Sequence, residues 1–492
     1  MKVMYKYVFL LISTGLLLGG CKSDDNGGVN PNIPNPDPGA NVVTQDFMYR
    51  AMNSWYFWQA DVPDLADDRF ATSEDYTAFL ESETDPAKFF DDKLLFTEDR
   101  FSFYSDDYKQ LTQQLSGISK SHGMEFGLVR FSGSDDIFGY VWYIVPGSDA
   151  ATKDISRGEL FTGVNGQTLN LNNYTDMLFG DADTFTLNMA DIANNEISPN
   201  GKEVTLTKQE GLMENPVFLD KIFEINGKKI GYLVYNGFTN EYDEDLNEAF
   251  GRFVAGGVNE LVLDFRYNPG GSVNSARLIS SMVYGTQTND IFLRQRWNAK
   301  WQNAFNEDQL VDKFADQTSA GTTVNTLNLT KVYILATNSS ASASELVINS
   351  LRPYVDVVHI GETTRGKNEF SLTMVDDPGS PDFPYLYSPS RENNINPDNK
   401  WAIQPLCGRN ENADGFSDYT TGLVPDIELQ EDLANLGVLG DQNEPLLARA
   451  IQEIDGATGK RDFTVRMPAQ MMTNAKMFKP LKDNMYIESP FK

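Results

Sequence analysis

Histidine and cysteine are nearly missing from this chain of 492 residues, which has only His122, His359, Cys21 and Cys407. Two cysteines cannot build a disulfide framework. Two isolated histidines, without acidic or thiol company at ligand spacing, support neither a zinc site nor a histidine-based triad. Basic residues are also scarce, 40 against 70 acidic ones, for a formal net charge of −30. That balance excludes a nucleic-acid binder, whose phosphate contacts demand Lys and Arg. It also excludes attachment to an anionic bilayer through a basic patch. Two fragments of known binding patterns fail. Asn410-x-Asn412-x-Asp414-Gly415 has Thr421 where a calcium loop needs its bidentate Glu, and Gly456-Ala457-Thr458-Gly459-Lys460 lacks the spacing of a phosphate loop.

What the chain does have is apolar material, 40% hydrophobic and 12% aromatic, enough to pack cores rather than stay disordered. At this length about three domains are expected. Lys2 and Lys6 precede a short apolar run, Val8 to Leu18, and then Leu18-Gly19-Gly20-Cys21. The run is too short to span a membrane and reads as a signal peptide over residues 1–20. The tetrad resembles a bacterial lipobox, which implies lipidation of Cys21 and an outer-membrane lipoprotein facing the periplasm or the cell surface. Residues 21–45 are rich in Asn, Pro, Gly and Asp and read as a flexible tether. Its start, Lys22-Ser23-Asp24-Asp25, resembles the acidic export signals of Bacteroidetes surface lipoproteins, although a plain polar linker explains it equally well.

Three regions follow. Residues 46–115 carry Met48, Ala51, Met52, Trp55, Phe79, Phe89, Phe90 and Leu94 at helical spacing and predict a helical domain. Residues 116–212 turn to strands and resemble a PDZ domain. That likeness rests on Pro146-Gly147-Ser148-Asp149-Ala150-Ala151 and on Arg157-Gly158-Glu159 leading to Val164-Asn165-Gly166. It implies a carboxylate-binding loop at Phe126, Gly127 and Leu128 that takes a peptide C-terminus by strand addition. Residues 213–455 alternate strands such as Leu261–Phe265, Val332–Ala336 and Val355–Ile360 with amphipathic helices, an α/β pattern. Residues 456–492 are rich in Met, Lys and Asn, poorly patterned, and read as an extension.

Three segments in the α/β region carry chemistry. Asp264-Phe265-Arg266-Tyr267-Asn268-Pro269-Gly270-Gly271 ends a strand in paired glycines whose N–H groups can face a ligand. Ser339-Ser340-Ala341-Ser342-Ala343-Ser344-Glu345 sits where a strand passes into a helix, beside unpaired N–H groups that suit an oxyanion. Gly366-Lys367-Asn368 follows another strand. Singly each is ordinary: a turn, a helix cap and a solvated lysine.

Together they resemble the C-terminal processing, or tail-specific, serine peptidases. The resemblance implies an α/β peptidase core of the ClpP/crotonase-like ββα type, with a PDZ-like β-rich domain and an N-terminal helical domain. It implies Ser342 as nucleophile, Lys367 as general base and Glu345 as the family's Glu. Gly422-Leu423-Val424-Pro425-Asp426 matches a further family motif. A lysine can serve as base if burial lowers its pKa from about 10.4. Oxyanion donors would be the N–H of Ala343 and one from Gly270 or Gly271, with Gly271 preferred. Many relatives orient the lysine with a Gln four residues on; here Ser371 stands there, so Ser371, Glu345 or another polar group must hold Lys367. The expected partners are polypeptides, bound through their C-termini, and the membrane through Cys21. The chemistry needs no cofactor and no metal. The rivals are a non-catalytic ligand-binding lipoprotein and a PDZ scaffold on the same fold, which should have lost the serine or the lysine.

Overall fold

The computed structural model describes residues 30, 32–193, 196–285, 287–381, 383–456, 462–479 and 482–488. The expected signal peptide, Cys21 and the acidic start of the tether lie outside them. In the α/β region the alternation of apolar residues along each strand decides the layering. Six strands lie in chain order across one sheet: Val217–Ile225, Lys228–Tyr235, Glu260–Asp264, Lys331–Ala336, Asp356–Gly361 and Ile427–Glu428. The first pair is antiparallel and the rest run parallel. Ile230, Tyr232, Val234, Val262 and Leu335 face the helix Pro445–Asp455, burying its Leu446, Leu447, Ala450 and Ile451. Leu233, Leu261, Leu263 and Ile334 face the other way, onto three helices, Asp243–Gly256, Val273–Tyr284 and Ala343–Leu351. Both faces are therefore covered, as short all-apolar strands require.

The aromatic N-terminal helices do not form a core of their own. Val43–Trp55, Ser73–Leu80 and Pro86–Phe89 bury Tyr49, Tyr76 and Phe89 in a cluster continuous with the α/β helices. Trp55 stacks on Trp301 with ring centroids 3.9 Å apart. Caps set the helix starts: Thr72 Oγ1 accepts from the N–H of Asp75, and Asp85 from that of Ala87.

The β-rich unit is an antiparallel sheet ordered Met471–Asn474, Met124–Arg130, Ile137–Ile144, Leu160–Val164, Thr184–Ala193 and Glu196–Thr207. Phe126, Leu128, Val141, Phe161 and Leu187 fill one face, and Val129, Tyr140 and Trp142 the other. The expected carboxylate loop is corrected here. Phe126, Gly127 and Leu128 lie inside a strand that is paired on both edges, with Ile137–Ile144 and with Met471–Asn474. Gly127 is required there because a side chain would strike the Tyr140 ring and the Trp142 indole.

The region expected to be an unpatterned extension supplies strands to two sheets. Besides Met471–Asn474, the pair Met485–Tyr486 runs between Gly271–Ser272 and Glu369–Ser371 in a second six-stranded sheet with Leu406–Glu411, Ile291–Trp297 and Val311–Lys313. Its alternation was too short and too interrupted for periodicity to reveal, because tertiary pairing rather than local pattern forms these strands.

Candidate active site

The three motif segments all leave the carboxyl ends of neighbouring parallel strands, Glu260–Asp264, Lys331–Ala336 and Asp356–Gly361, where open α/β sheets place their sites. The first turn is fixed from beneath. Asn268 Nδ2 donates to the carbonyl of Tyr235, and its Oδ1 accepts from the N–H of Gly270 at 2.9 Å. Gly270 and Gly271 have φ of 111° and 134°, which L side chains rarely adopt. A Cβ on Gly270 would strike Ser342, and one on Gly271 the carbonyl of Phe238. The Gly270 N–H is thus already used, whereas the Gly271 N–H points at a carbonyl oxygen, that of Asn484, at 2.6 Å.

Ser342 stands at the N-cap of helix Ala343–Leu351 with φ 64° and ψ −112°, a strained conformation for a residue with a side chain. Its Oγ is buried and has no hydrogen-bond partner among the described residues. The neighbouring serines are committed to structure: Ser344 Oγ donates to the carbonyl of Asn268 and Ser340 Oγ to that of Phe265. Ala343 opens the helix, so its N–H belongs to the first-turn set that no intrahelical carbonyl satisfies.

One carboxylate ties the serine and lysine segments together. Glu345 is fully buried and accepts from the N–H groups of Ser342 (2.6 Å), Gly366 (2.6 Å) and Lys367 (2.9 Å) and from Thr364 Oγ1 (2.5 Å). Burial lifts its pKa to about 7, partly offset by these donors. Glu345 therefore sets backbone positions and does not hold the lysine amine. The Gly422–Leu423 segment supports the same turn: the Leu423 N–H donates to Thr364 Oγ1 at 2.8 Å.

Lys367 is 1% exposed, and burial lowers its pKa to about 8, with Glu369, Asp483, Asp99 and Glu345 pulling weakly the other way. The amine lies 5.2 Å from the Phe101 ring centre and donates to Asn484 Oδ1 at 3.4 Å. Ser371 does not hold it; the Ser371 hydroxyl lies against Gln404 Oε1, Asn484 Oδ1 and the carbonyl of Met485. The polar group on Lys367 is thus Asn484. The sequence offered no signal for Asn484 or Phe101, since each reaches the lysine from a remote stretch of chain. Arg100, beside Phe101, braces the lysine turn by donating to the carbonyl of Gly366 at 2.7 Å. Burial pushes both histidines down to about 4, and His359 Nε2 lies against the carbonyl of Ala336. No group of His, Cys, Asp and Glu among the described residues is arranged to hold a metal. A cavity of about 360 Å³ opens beside the site, lined by Pro269, Gly270, Phe126, Glu125, Lys476 and Lys479 among others.

Residues 44–103 match the model of the Peptidase S41 N-terminal domain, and residues 229–380 that of Peptidase family S41. A carboxyl-terminal-processing protease of Picosynechococcus is 27% identical over 153 residues, 31% of this chain and 32% of that protein. A CtpA-like serine protease of Staphylococcus aureus is 29% identical over 185 residues, 36% of this chain and 34% of that protein. The match thus spans about a third of the length of these curated relatives. A solved structure assigned as an S41 protease of Bacteroides fragilis overlays with a TM-score of 0.64 at 28% identity, covering 84% of this chain and 97% of that one. Two segments of the chain thus match the N-terminal and peptidase domain models of the S41 family, in that order, on a fold similar to that of an S41 protease.

Proposed function

We propose that this protein is a serine peptidase of the C-terminal processing type, with Ser342 as nucleophile and Lys367 as general base. The observation that carries this reading is the buried lysine, whose pKa of about 8 lets it accept a proton near neutral pH, locked to the nucleophile's backbone through Glu345. Ser342 Oγ attacks the scissile carbonyl and passes its proton to Lys367. The Gly271 and Ala343 N–H groups take the oxyanion. Lys367 then returns the proton to the departing amine, and water frees the acyl-enzyme. The β-rich unit spanning residues 116–212 serves as the PDZ-like receptor, and an extended peptide adds along Met124–Arg130 on the side where Met471–Asn474 pairs in this structure.

The substrates are then exported or unfolded polypeptides, cut after capture of an extended end. The lipobox-like tetrad supports anchoring at the outer membrane through Cys21, and no helix among the described residues is long and apolar enough to cross a membrane. Reaction with a fluorophosphonate followed by peptide mapping tests the nucleophile: a label on Ser342 is expected, and a label on Ser344 instead would overturn the assignment. Fatty-acid labelling of the protein that disappears in Cys21→Ala tests the anchor.

A further inference from the structure

Two of the groups assigned to catalysis, the Gly271 N–H and the Lys367 amine, are already occupied, and the occupant is the chain itself. Met471–Asn474 adds antiparallel to Met124–Arg130, which it alone keeps from being the edge of the sheet, with Met471 opposite Val129 and Asn474 opposite Gly127. That is the place a bound peptide would take. The chain then turns through Ala475–Phe478, where Phe478 stacks on Phe179 at 3.7 Å and Lys476 Nζ donates to the carbonyl of Asn236. Lys479 pairs with the buried Glu125 at 2.5 Å. Farther on, Asp483 pairs with Arg365 at 2.9 Å, two residues before the lysine. Residues 483 to 487 are all buried.

Asn484 lies at the centre of the site. Its carbonyl oxygen accepts from the Gly271 N–H, the donor assigned to the oxyanion, while its side-chain oxygen accepts from Lys367. The extended Met485–Tyr486 pair continues between the Gly271 turn and Ser371, and Glu488 bonds the Ser272 hydroxyl. Meanwhile Ser342 Oγ is left buried without a partner. An extended backbone has thus put a carbonyl on the oxyanion donor beside the nucleophile, as a substrate would. The side-chain amide of the same residue takes a hydrogen bond from the base, and none runs from the serine hydroxyl to the lysine. A carbonyl is bound, yet the serine that should attack it is not activated.

We infer that residues 471–479 and 482–488 act as a built-in pseudosubstrate, the first stretch filling the receptor edge and the second the catalytic groove, which keeps the peptidase latent until it is displaced. This rests on the proposed Ser342/Lys367 peptidase. A site whose competent form is a minor population works at a rate reduced by that fraction, so weakening the occupant raises activity.

The test compares the protein carrying all of these residues with two variants, Asp483→Ala/Asn484→Ala and a chain ending at residue 470. Each is assayed for fluorophosphonate labelling of Ser342, hydrolysis of fluorescent casein and melting temperature. The double variant should label and hydrolyse at least about tenfold faster. The shortened chain should do the same, and a synthetic peptide of residues 471–488 should slow it again, saturably. If the shortened chain fails to fold, the double variant decides. A segment with only a structural role gives the opposite sign, since loosening it lowers melting temperature and activity together. If the unaltered protein labels and hydrolyses as fast as a folded double variant, the pseudosubstrate falls and the peptidase stands. If no folded form labels at Ser342 or cuts casein, both fall.

Discussion

Lys367 can take a proton only while neutral, and burial holds its pKa near 8 rather than the ordinary 10.5. The kcat/KM of the proposed peptidase should therefore rise as pH climbs through about 8 and level off above it. Glu345 adds to the fall on the acid side. Its four partners are all donors, so it serves them best when ionised, and burial places its titration near 7. Below pH 7 the profile should fall more steeply than one proton allows. Both histidines stay neutral well below that range, so neither contributes a limb near 6.5. Lys367→Met, which keeps most of the stem, should lose about a thousandfold in turnover or more. Adding Ser342→Ala should cost no more than Ser342→Ala alone, since the two groups act as one unit. Near-normal turnover in Lys367→Met would remove the lysine from the mechanism. At this scale the sequence was informative. Serine, lysine and paired glycines stand in short motifs, each just past a strand, and parallel strands deliver their carboxyl ends to one place. It could not say that Ser344 and Ser340 are spent on carbonyls, or that Glu345 grips amides rather than the amine, because both facts depend on atoms about 3 Å apart in the folded chain.

Between elements, the least legible feature was the wall around the lysine. The N-terminal region was expected as a separate helical domain, yet its aromatic residues share one core with the helices of the α/β sheet. Its last stretch, held by Asp99 accepting from the N–H groups of Phe101 and Ser102, brings Phe101 over the lysine amine. Nothing local announces a contact between residue 101 and residue 367; a stripe of aromatics is the same pattern whatever it packs on. The strands of segment 471–488 were missed for a related reason. Two- and four-residue strands carry too few alternations to be read, and their partners lie more than a hundred residues away. Phe101→Ala gives the wall a measurable role. Opening that side admits water, relieves the burial that depresses the lysine pKa, and should move the activity limb towards 10.5, with the plateau rate less affected than the rate at pH 7. A lower plateau with an unmoved limb would mean that Phe101 supports structure only.

Across the whole molecule, the β-rich unit and the α/β core are joined by charge as well as by apolar packing. Arg157, from the turn before strand Leu160–Val164, donates to the carbonyls of Trp142 and Leu436, to the Tyr267 hydroxyl and to Glu431. Tyr267, inside the glycine-turn motif, stacks on Trp142 at 4.3 Å and also donates to Glu431. Arg266, next in line, bridges Asp264 at the end of its own strand to Glu444 at the cap of helix Pro445–Asp455. The Asp-x-Arg motif preceding the glycines is thus part of one buried network reaching from the oxyanion turn to the β-rich unit. Such a network is stable only when complete, because removing one member leaves its partners charged and dry. Arg157→Ala should therefore destabilise the protein by about 3–5 kcal/mol, read as a lower urea midpoint. Arg157→Lys, which keeps the charge but not the fork of donors, should fall between the two. The contrast is Lys120, whose pairs with Asp183 and Glu210 are exposed on the surface. Lys120→Ala should leave the urea midpoint nearly unchanged. Equal effects at Lys120 and Arg157 would mean that the two units are held together by apolar contact alone.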